Sequence, residues 1–410
     1  MRKQIALGAL ALTAAVVLAG CSAGGSADND GDDTDGSGAE LVIWTDEERE
    51  EGIAAAAAAF EEETGATVTL VQKNFEDLRN DFIAQVPTGE GPDITVGAHD
   101  WLGALVAAGV VDTIDLGATA SEFEPVALEA MTYDGQLYAL PYSLETIALV
   151  QNVDLVGADA PATWDEMIQN GVASGAERPF VINTNGETGD GYTMYGFQTS
   201  FGAPVFVQDA SGSYTTEVGM GGPGGEAFAS WLGANGTGGT GYISTTVDYD
   251  INNELFNSGQ APYTIQGPWA ISAYPDVANI AVNPIPSAGG ETAAPFVGVQ
   301  SFYVSSQSAN ALLAQEFLVN YLGTEEAQRA LYEADPRIPA WSTLATEVSS
   351  DPIIAGFLAS AQNGVPMPSI PEMGSVWDLW NAAQSQIING ADPVATWNTM
   401  VADVQAAVAG

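Results

Sequence analysis

The sequence is short of the residues on which most catalytic chemistry depends. Its 410 residues hold one cysteine, one histidine, and eight lysines and arginines against 53 aspartates and glutamates. The lone Cys21 can make no disulfide within the chain. The lone His99 supplies neither a His-based zinc site nor a Ser-His-Asp or Cys-His system. No phosphate-loop Gly-Lys-Ser/Thr is present, and no Gly-x-Gly-x-x-Gly joins a strand to a helix. The glycine-rich stretches 219–225 and 236–241 therefore read as turns or surface loops. A formal charge of −45 repels nucleic acid and anionic lipid, both of them polyanions. Glycosidase chemistry needs only two carboxylates, and acids are abundant here. No acid pair stands out from solvated surface charge, so no catalytic residue, metal ligand or cofactor is assigned.

Long apolar runs are also scarce; the clearest is at the start. Met1-Arg2-Lys3-Gln4 is cationic, and Ile5 to Gly20 is apolar but short of the roughly 20 residues a spanning helix needs. The run ends Leu18-Ala19-Gly20-Cys21, which resembles the bacterial lipobox, the alternative being a secretory signal with an incidental cysteine. The expectation is a lipoprotein signal peptide at 1–20, a lipidated Cys21, and an extracytoplasmic protein anchored to the outer face of the cell membrane. Besides Cys21, residues 21–39 are only Gly, Ser, Ala, Asp, Asn and Thr, with no aromatic, and read as an acidic tether. Losing residues 1–20 leaves six basic residues in the mature chain. About 370 residues follow the tether, more than one hydrophobic core usually holds, so two lobes are expected.

The folded part opens with Leu41-Val42-Ile43-Trp44, which suits a buried strand. A helix is expected over 49–63, where the alanine run 54–59 favours it and Thr64-Gly65 stops it. Thr67 to Val71 is rich in β-branched residues and reads as a second strand, and Pro92 to Val96 as a third. Strands alternating with helices predict a parallel sheet covered on both faces. Ligands bind such sheets beyond the carboxyl ends of the strands, here the loops after Trp44, Val71 and Val96.

What the sequence does have is aromatic and acidic residues interleaved. Sugars pack their C–H faces on Trp and Tyr rings and donate hydroxyls to carboxylates. Trp101, Tyr192, Tyr249, Trp269, Trp377 and Trp380 alternate with Asp46, Asp100, Glu145 and Asp190. Core packing is the alternative for any single one of these rings. Trp377 and Trp380, three apart on an expected helix, suit a core as well as a platform.

Several segments together resemble the maltose/maltodextrin-binding proteins of bacterial import systems. They include Leu-Val-Ile-Trp at 41–44, Gly91-Pro92-Asp93-Ile94, Ala98-His99-Asp100 and Leu140-Pro141-Tyr142 before Glu145. Thr163-Trp164-Asp165-Glu166, Gly267-Pro268-Trp269, Pro295 to Val299 and Met367-Pro368-Ser369-Ile370-Pro371 continue the series in order. The resemblance implies an α/β fold of the two-lobe, periplasmic-binding-protein-like type II. It puts one lobe at 40–144 plus 301–349 and the other at 145–300 plus 350–410. It further implies a monomer without cofactors that closes about a hinge on a maltodextrin-type oligosaccharide and presents it to the membrane subunits of an ABC importer. Trehalose or sucrose are rival ligands, and a secreted glycan hydrolase is a rival class.

Residue by residue, the resemblance implies that Asp100 binds sugar hydroxyls, with an N-cap as the structural alternative. Glu145 would be a hinge-side contact, Asp190 and Tyr192 an acid–aromatic pair, and Trp269 and Trp377 stacking rings. Tyr249 and Met367 would touch the ligand, while His99 orients structure. This chain departs from the pattern at Gly97, where some members carry a stacking tryptophan, and at Trp101, where they carry a cation. One ring would stand in for the other, and Trp380 would add a further aromatic. Asp46, Arg49 and Arg79 fall near the same rim, each arginine to clamp a hydroxyl or to partner an acid.

Overall fold

The computed structural model of the protein describes residues 38–209 and 214–409. The expected signal peptide, Cys21 and nearly all of the tether lie outside the described residues. Strand β1 (Glu40–Thr45) leads into helix α1 (Glu47–Thr64). Asp46 caps that helix, its carboxylate accepting from the Arg49 amide at 3.2 Å. Gly65, at φ 70°, ends it in the left-handed conformation that glycine adopts without strain. β2 (Thr67–Gln72) then pairs parallel to β1, residue against residue. Helix α2 (Phe75–Gln85) follows, and β3 (Ile94–Ala98) pairs parallel to the other edge of β1. The third strand starts two residues after Pro92, which has no amide hydrogen to give a ladder.

After the short helix α3 (Leu102–Ala108) come β4 (Ala139–Thr146), β5 (Ala148–Asn152) and β6 (Val181–Ile182). Helices α4 (Gly191–Thr199) and α5 (Tyr249–Asn257) precede β7 (Tyr263–Gln266) and β8 (Ile280–Asn283). The long β9 (Phe296–Val304), the two-residue β10 (Ile338–Pro339) and α6 (Trp377–Ile388) complete the frame. One sheet has the order β10-β4-β9-β3-β1-β2, with Val365–Pro366 also pairing to β9; the other runs β8-β5-β7-β6.

The expected all-parallel sheet is corrected by this topology. β9 lies antiparallel to both β3 and β4, and β5 is antiparallel to β7 and β8. The reason is the path of the chain. β3 ends at the rim that carries His99 and Asp100, whereas β9 starts beside the second core at Phe296 and enters the first sheet from that rim. A strand entering where its neighbours leave must run against them.

Each sheet has its own core. Leu41, Phe60, Phe82, Val96, Leu140, Phe302 and Phe317 belong to the first. The second sheet divides its apolar residues between a cluster with Trp164, Phe197, Phe228 and Trp397 and a smaller one with Val150, Phe256 and Phe357. Two lobes result, joined through β4 and β9.

Candidate ligand-binding site

The carboxyl ends of β1, β2 and β3 bring Asp46, Phe75, Asp100 and Trp101 to one rim. Arg49, one turn into α1, is buried there. Its side chain pairs with the Asp46 carboxylate, and its Nε donates to the Tyr142 hydroxyl. Its guanidinium also lies 4.8 Å from the centre of the Phe75 ring. Of the two roles open to Arg49, the structure gives it the acid partner. Phe75 packs against Trp101 with centroids 5.0 Å apart. Trp101 is itself buried, with its ring over Gly97, so the indole fills the space a side chain at 97 would take.

Asp100 is only 7 % exposed, and its Oδ1 has no hydrogen-bond partner among the described residues. It does not cap α3, whose cap position is Trp101 without a side-chain bond, so the N-cap alternative is not realised. Burial pushes the Asp100 carboxyl up to about 7; Arg79 opposes this, while Glu145 and Glu76 add to it. Arg79, half-buried on α2, thus acts electrostatically on Asp100 and Glu76. Glu76 keeps solvent contact, yet surrounding protein raises its carboxyl, with Asp190 of the second lobe adding. His99 has a structural role, as expected: Nδ1 accepts from the Val299 amide at 3.1 Å and Nε2 donates to the Met367 carbonyl at 3.0 Å. Burial holds its imidazole down at about 4, neutral at ordinary pH.

On the crossing strands, Glu145 of β4 accepts from Gln300 Nε2 of β9 at 2.7 Å. Its other oxygen pairs with Arg337, which also binds Asp335. Glu48 reaches toward both cations, 3.7 Å from Arg49 and 3.6 Å from Arg337.

The second lobe supplies the rings. Tyr192 lies 6.4 Å from Trp269 and 6.2 Å from Phe296, and Trp377 lies 6.3 Å from Phe296 (centroid distances). Tyr192, Trp269 and Trp377 each keep part of their surface exposed. The Tyr192 hydroxyl is buried without a partner among the described residues. Burial raises it well above the usual phenol range, and Glu145, Asp190 and Asp100 add to the shift. Of those acids, Asp100 belongs to the opposite wall and Glu145 to the crossing strand β4. Tyr249, at the first turn of α5, is half-buried and feels Glu48, Arg337 and Asp335 across the same space. Met367 is buried beside His99.

One expected contact is corrected. Trp380 has no exposed surface, and its indole donates to Gln198 Oε1 at 2.9 Å inside the second core. One turn of α6 separates it from Trp377, which stacks on it at 5.5 Å and takes the outer position. Asp190 caps α4: it accepts from the Thr193 amide at 2.9 Å, the Thr193 hydroxyl at 2.6 Å and Asn183 Nδ2 at 3.0 Å. Asp190 also keeps part of its surface exposed, so its capping role and the expected ligand contact are compatible.

Residues 55–356 match the family described as bacterial extracellular solute-binding protein. The chain belongs to that family. This solute-binding protein is 28 % identical over 406 residues to a galactooligosaccharide-binding protein of Bacillus subtilis, covering 96 % of this chain and 94 % of the relative. It is 26 % identical over 397 residues to a maltooligosaccharide ABC transporter solute-binding lipoprotein of Streptococcus pneumoniae, covering 92 % and 90 %. The solved structure of Thermus thermophilus maltotriose binding protein bound with maltotriose superposes with a TM-score of 0.81. It is 29 % identical, over 90 % of this chain and all of that one. The two-lobe type II fold is thus that of the solute-binding proteins.

Sequence reasoning missed Arg337, Glu48, Glu76 and Tyr142 in this solute-binding protein. The scarcity of bases was a usable signal for Arg337, because six basic residues against 53 acids make any buried cation exceptional. Among the described residues, no cluster of His, Cys, Asp and Glu could hold a metal ion, and no helix is long and apolar enough to cross a membrane.

Proposed function

We propose that the protein is a lipid-anchored substrate-binding component that captures maltose- or maltodextrin-type oligosaccharides and hands them to an ABC importer. The observation that carries this reading is a pair of buried polar atoms without partners among the described residues, Asp100 Oδ1 and the Tyr192 hydroxyl, one from each lobe and electrostatically coupled. Such atoms cost free energy unless something satisfies them. A sugar hydroxyl both donates and accepts, and the rings of Tyr192, Trp269 and Trp377 suit its apolar face. The lobes are taken as 40–144 plus 301–349 and 145–300 plus 350–410, a division most core residues support, Val299 in the first core and Ile338 in the third cluster being exceptions. A ligand that touches both walls favours the closed state, because that state alone makes both sets of contacts. Anchoring is supported by Leu18-Ala19-Gly20-Cys21 and by the lipoprotein name of the pneumococcal relative. The importer's membrane subunits would read the closed form, and the reading assigns no catalytic step.

The test is titration of residues 40–410 with maltose, maltotriose, trehalose, sucrose and a galactooligosaccharide while tryptophan fluorescence is followed. Saturation by maltotriose at micromolar concentration, with the sugar recovered intact, is the expected result. Response to galactooligosaccharide alone would transfer the ligand assignment to the class named for the Bacillus relative. Silence to the whole panel overturns the sugar reading. Separately, Cys21→Ser in the full chain is expected to move the protein from the membrane fraction to the medium.

A further inference from the structure

Arg337 stands immediately before β10, at the edge of the first sheet, and is 3 % exposed. Two of its three guanidinium nitrogens are committed: Nε donates to Asp335 and Nη1 to Glu145. Glu145 is in turn held by Gln300 at 2.7 Å, so the guanidinium plane is fixed by both crossing strands and by its own loop. A guanidinium is planar, so fixing two nitrogens also fixes the direction of the third. That third nitrogen, Nη2, makes no hydrogen bond among the described residues. It faces Glu48 Oε2 at 3.6 Å, beyond hydrogen-bond range. The guanidinium carbon lies 5.4 Å from the centre of the Trp269 ring, on the opposite lobe.

A donor and an acceptor held 3.6 Å apart, beside an aromatic ring, define a ligand chemistry. A hydroxyl oxygen placed beside both accepts from Nη2 and donates to Glu48 at once. A carboxylate or phosphate satisfies Nη2 but is repelled by Glu48. A primary ammonium satisfies Glu48 but is repelled by Arg337. We propose that Arg337 and Glu48 form a specificity-determining contact that grips one neutral hydroxyl of the sugar unit lying against Trp269. The pair rejects anionic and cationic sugars at that position. This inference rests on the sugar-binding reading above and adds two residues to it.

The contact is tested by calorimetric titration of the full-length protein, Arg337→Lys and Glu48→Gln with maltotriose and its monodeoxy analogues. Lysine keeps a cation beside Asp335 and Glu145 but has no third nitrogen to present. Each variant is expected to bind maltotriose about 10- to 100-fold more weakly, the loss that accompanies a charged hydrogen bond. One deoxy analogue should lose at least that factor on the unsubstituted protein and distinctly less on either variant, in which one of the hydroxyl's two bonds is already weakened. A merely structural ion pair would not produce that match between one missing hydroxyl and one missing donor. Binding within twofold of the unsubstituted protein by both folded variants overturns the contact and leaves the sugar reading standing. So does an equal loss for every analogue. Should Arg337→Lys fail to fold, Glu48→Gln alters a side chain 40 % exposed and carries the same test. Silence of the unsubstituted protein to maltotriose overturns the inference together with the reading beneath it.

Discussion

The Trp101 indole lies directly over the α-carbon of Gly97. A β-carbon at position 97 would come within 2.7 Å of that ring and 3.0 Å of Tyr303. Glycine and tryptophan are therefore a matched pair, and Phe75 completes the stack at 5.0 Å. Gly97→Ala is expected to destabilise the fold by about 1–3 kcal/mol, the range for an overpacked core. Gly97→Ala combined with Trp101→Leu should recover most of that loss. Urea denaturation of the two variants decides it: equal midpoints would mean that the indole was free to move aside.

Trp377 and Trp380 make opposite predictions although one helical turn separates them. Trp380 is fully buried and hydrogen-bonded, so Trp380→Ala is expected to cost about 3–5 kcal/mol of stability. Trp377 keeps an exposed face, so Trp377→Ala should cost far less stability and weaken sugar binding instead. Thermal unfolding and sugar titration of both variants separate the roles, and a Trp377→Ala protein with unchanged affinity would remove that ring from the site.

The same pair shows how far the sequence reads. Local signals located β1, α1 and β2, because a capping aspartate, an alanine run and a stop glycine act within a few residues of one another. Spacing put Trp377 and Trp380 on one helix, but helical phase does not say which side faces the core until the packing partner is known. That partner includes Gln198, 182 residues away. The antiparallel course of β9 was hidden for a similar reason, since nothing local in 296–304 records that the strand enters from the rim. Arg337 meets Glu145 across 192 residues, and a lone arginine has no spacing pattern to betray it. Asp190 read as a ligand contact because its neighbour Tyr192 drew attention to the cleft. Its cap on Thr193, three residues on, is the local role of the same carboxylate.

Arg49 and Asp46 form a buried pair, and removing Arg49 leaves the Asp46 carboxylate without its cation, whereas Arg49 without Asp46 still has Glu48 at 3.7 Å. Arg49→Met is expected to cost about 3–5 kcal/mol. Asp46→Asn should cost less, because asparagine still caps α1 well. Chemical denaturation at neutral pH orders the two, and an equal cost would mean that the Asp46 charge matters as much as the Arg49 guanidinium, the cap surviving in both variants.

His99 and Asp100, adjacent in the chain, tilt stability with pH in opposite directions. The His99 imidazole is held at about 4, below its ordinary 6.5. Between those values the unfolded chain binds the proton more readily, so this contribution is present above pH 6.5 and is lost as pH falls through about 4. The Asp100 carboxyl is held at about 7, above its ordinary 3.8. There the folded chain binds the proton more readily, so this contribution is present below pH 3.8 and is lost as pH rises through about 7. Between pH 4 and 6.5 the two slopes oppose each other and partly cancel. Asp100→Asn is expected to remove the falling slope and make stability rise more steeply with pH across that window. His99→Gln, which keeps a side-chain donor and acceptor, is expected to do the reverse. Urea midpoints measured from pH 4 to 8 check both. Because this chain has no other histidine, a rising slope that survives His99→Gln unchanged would assign it to carboxylates elsewhere.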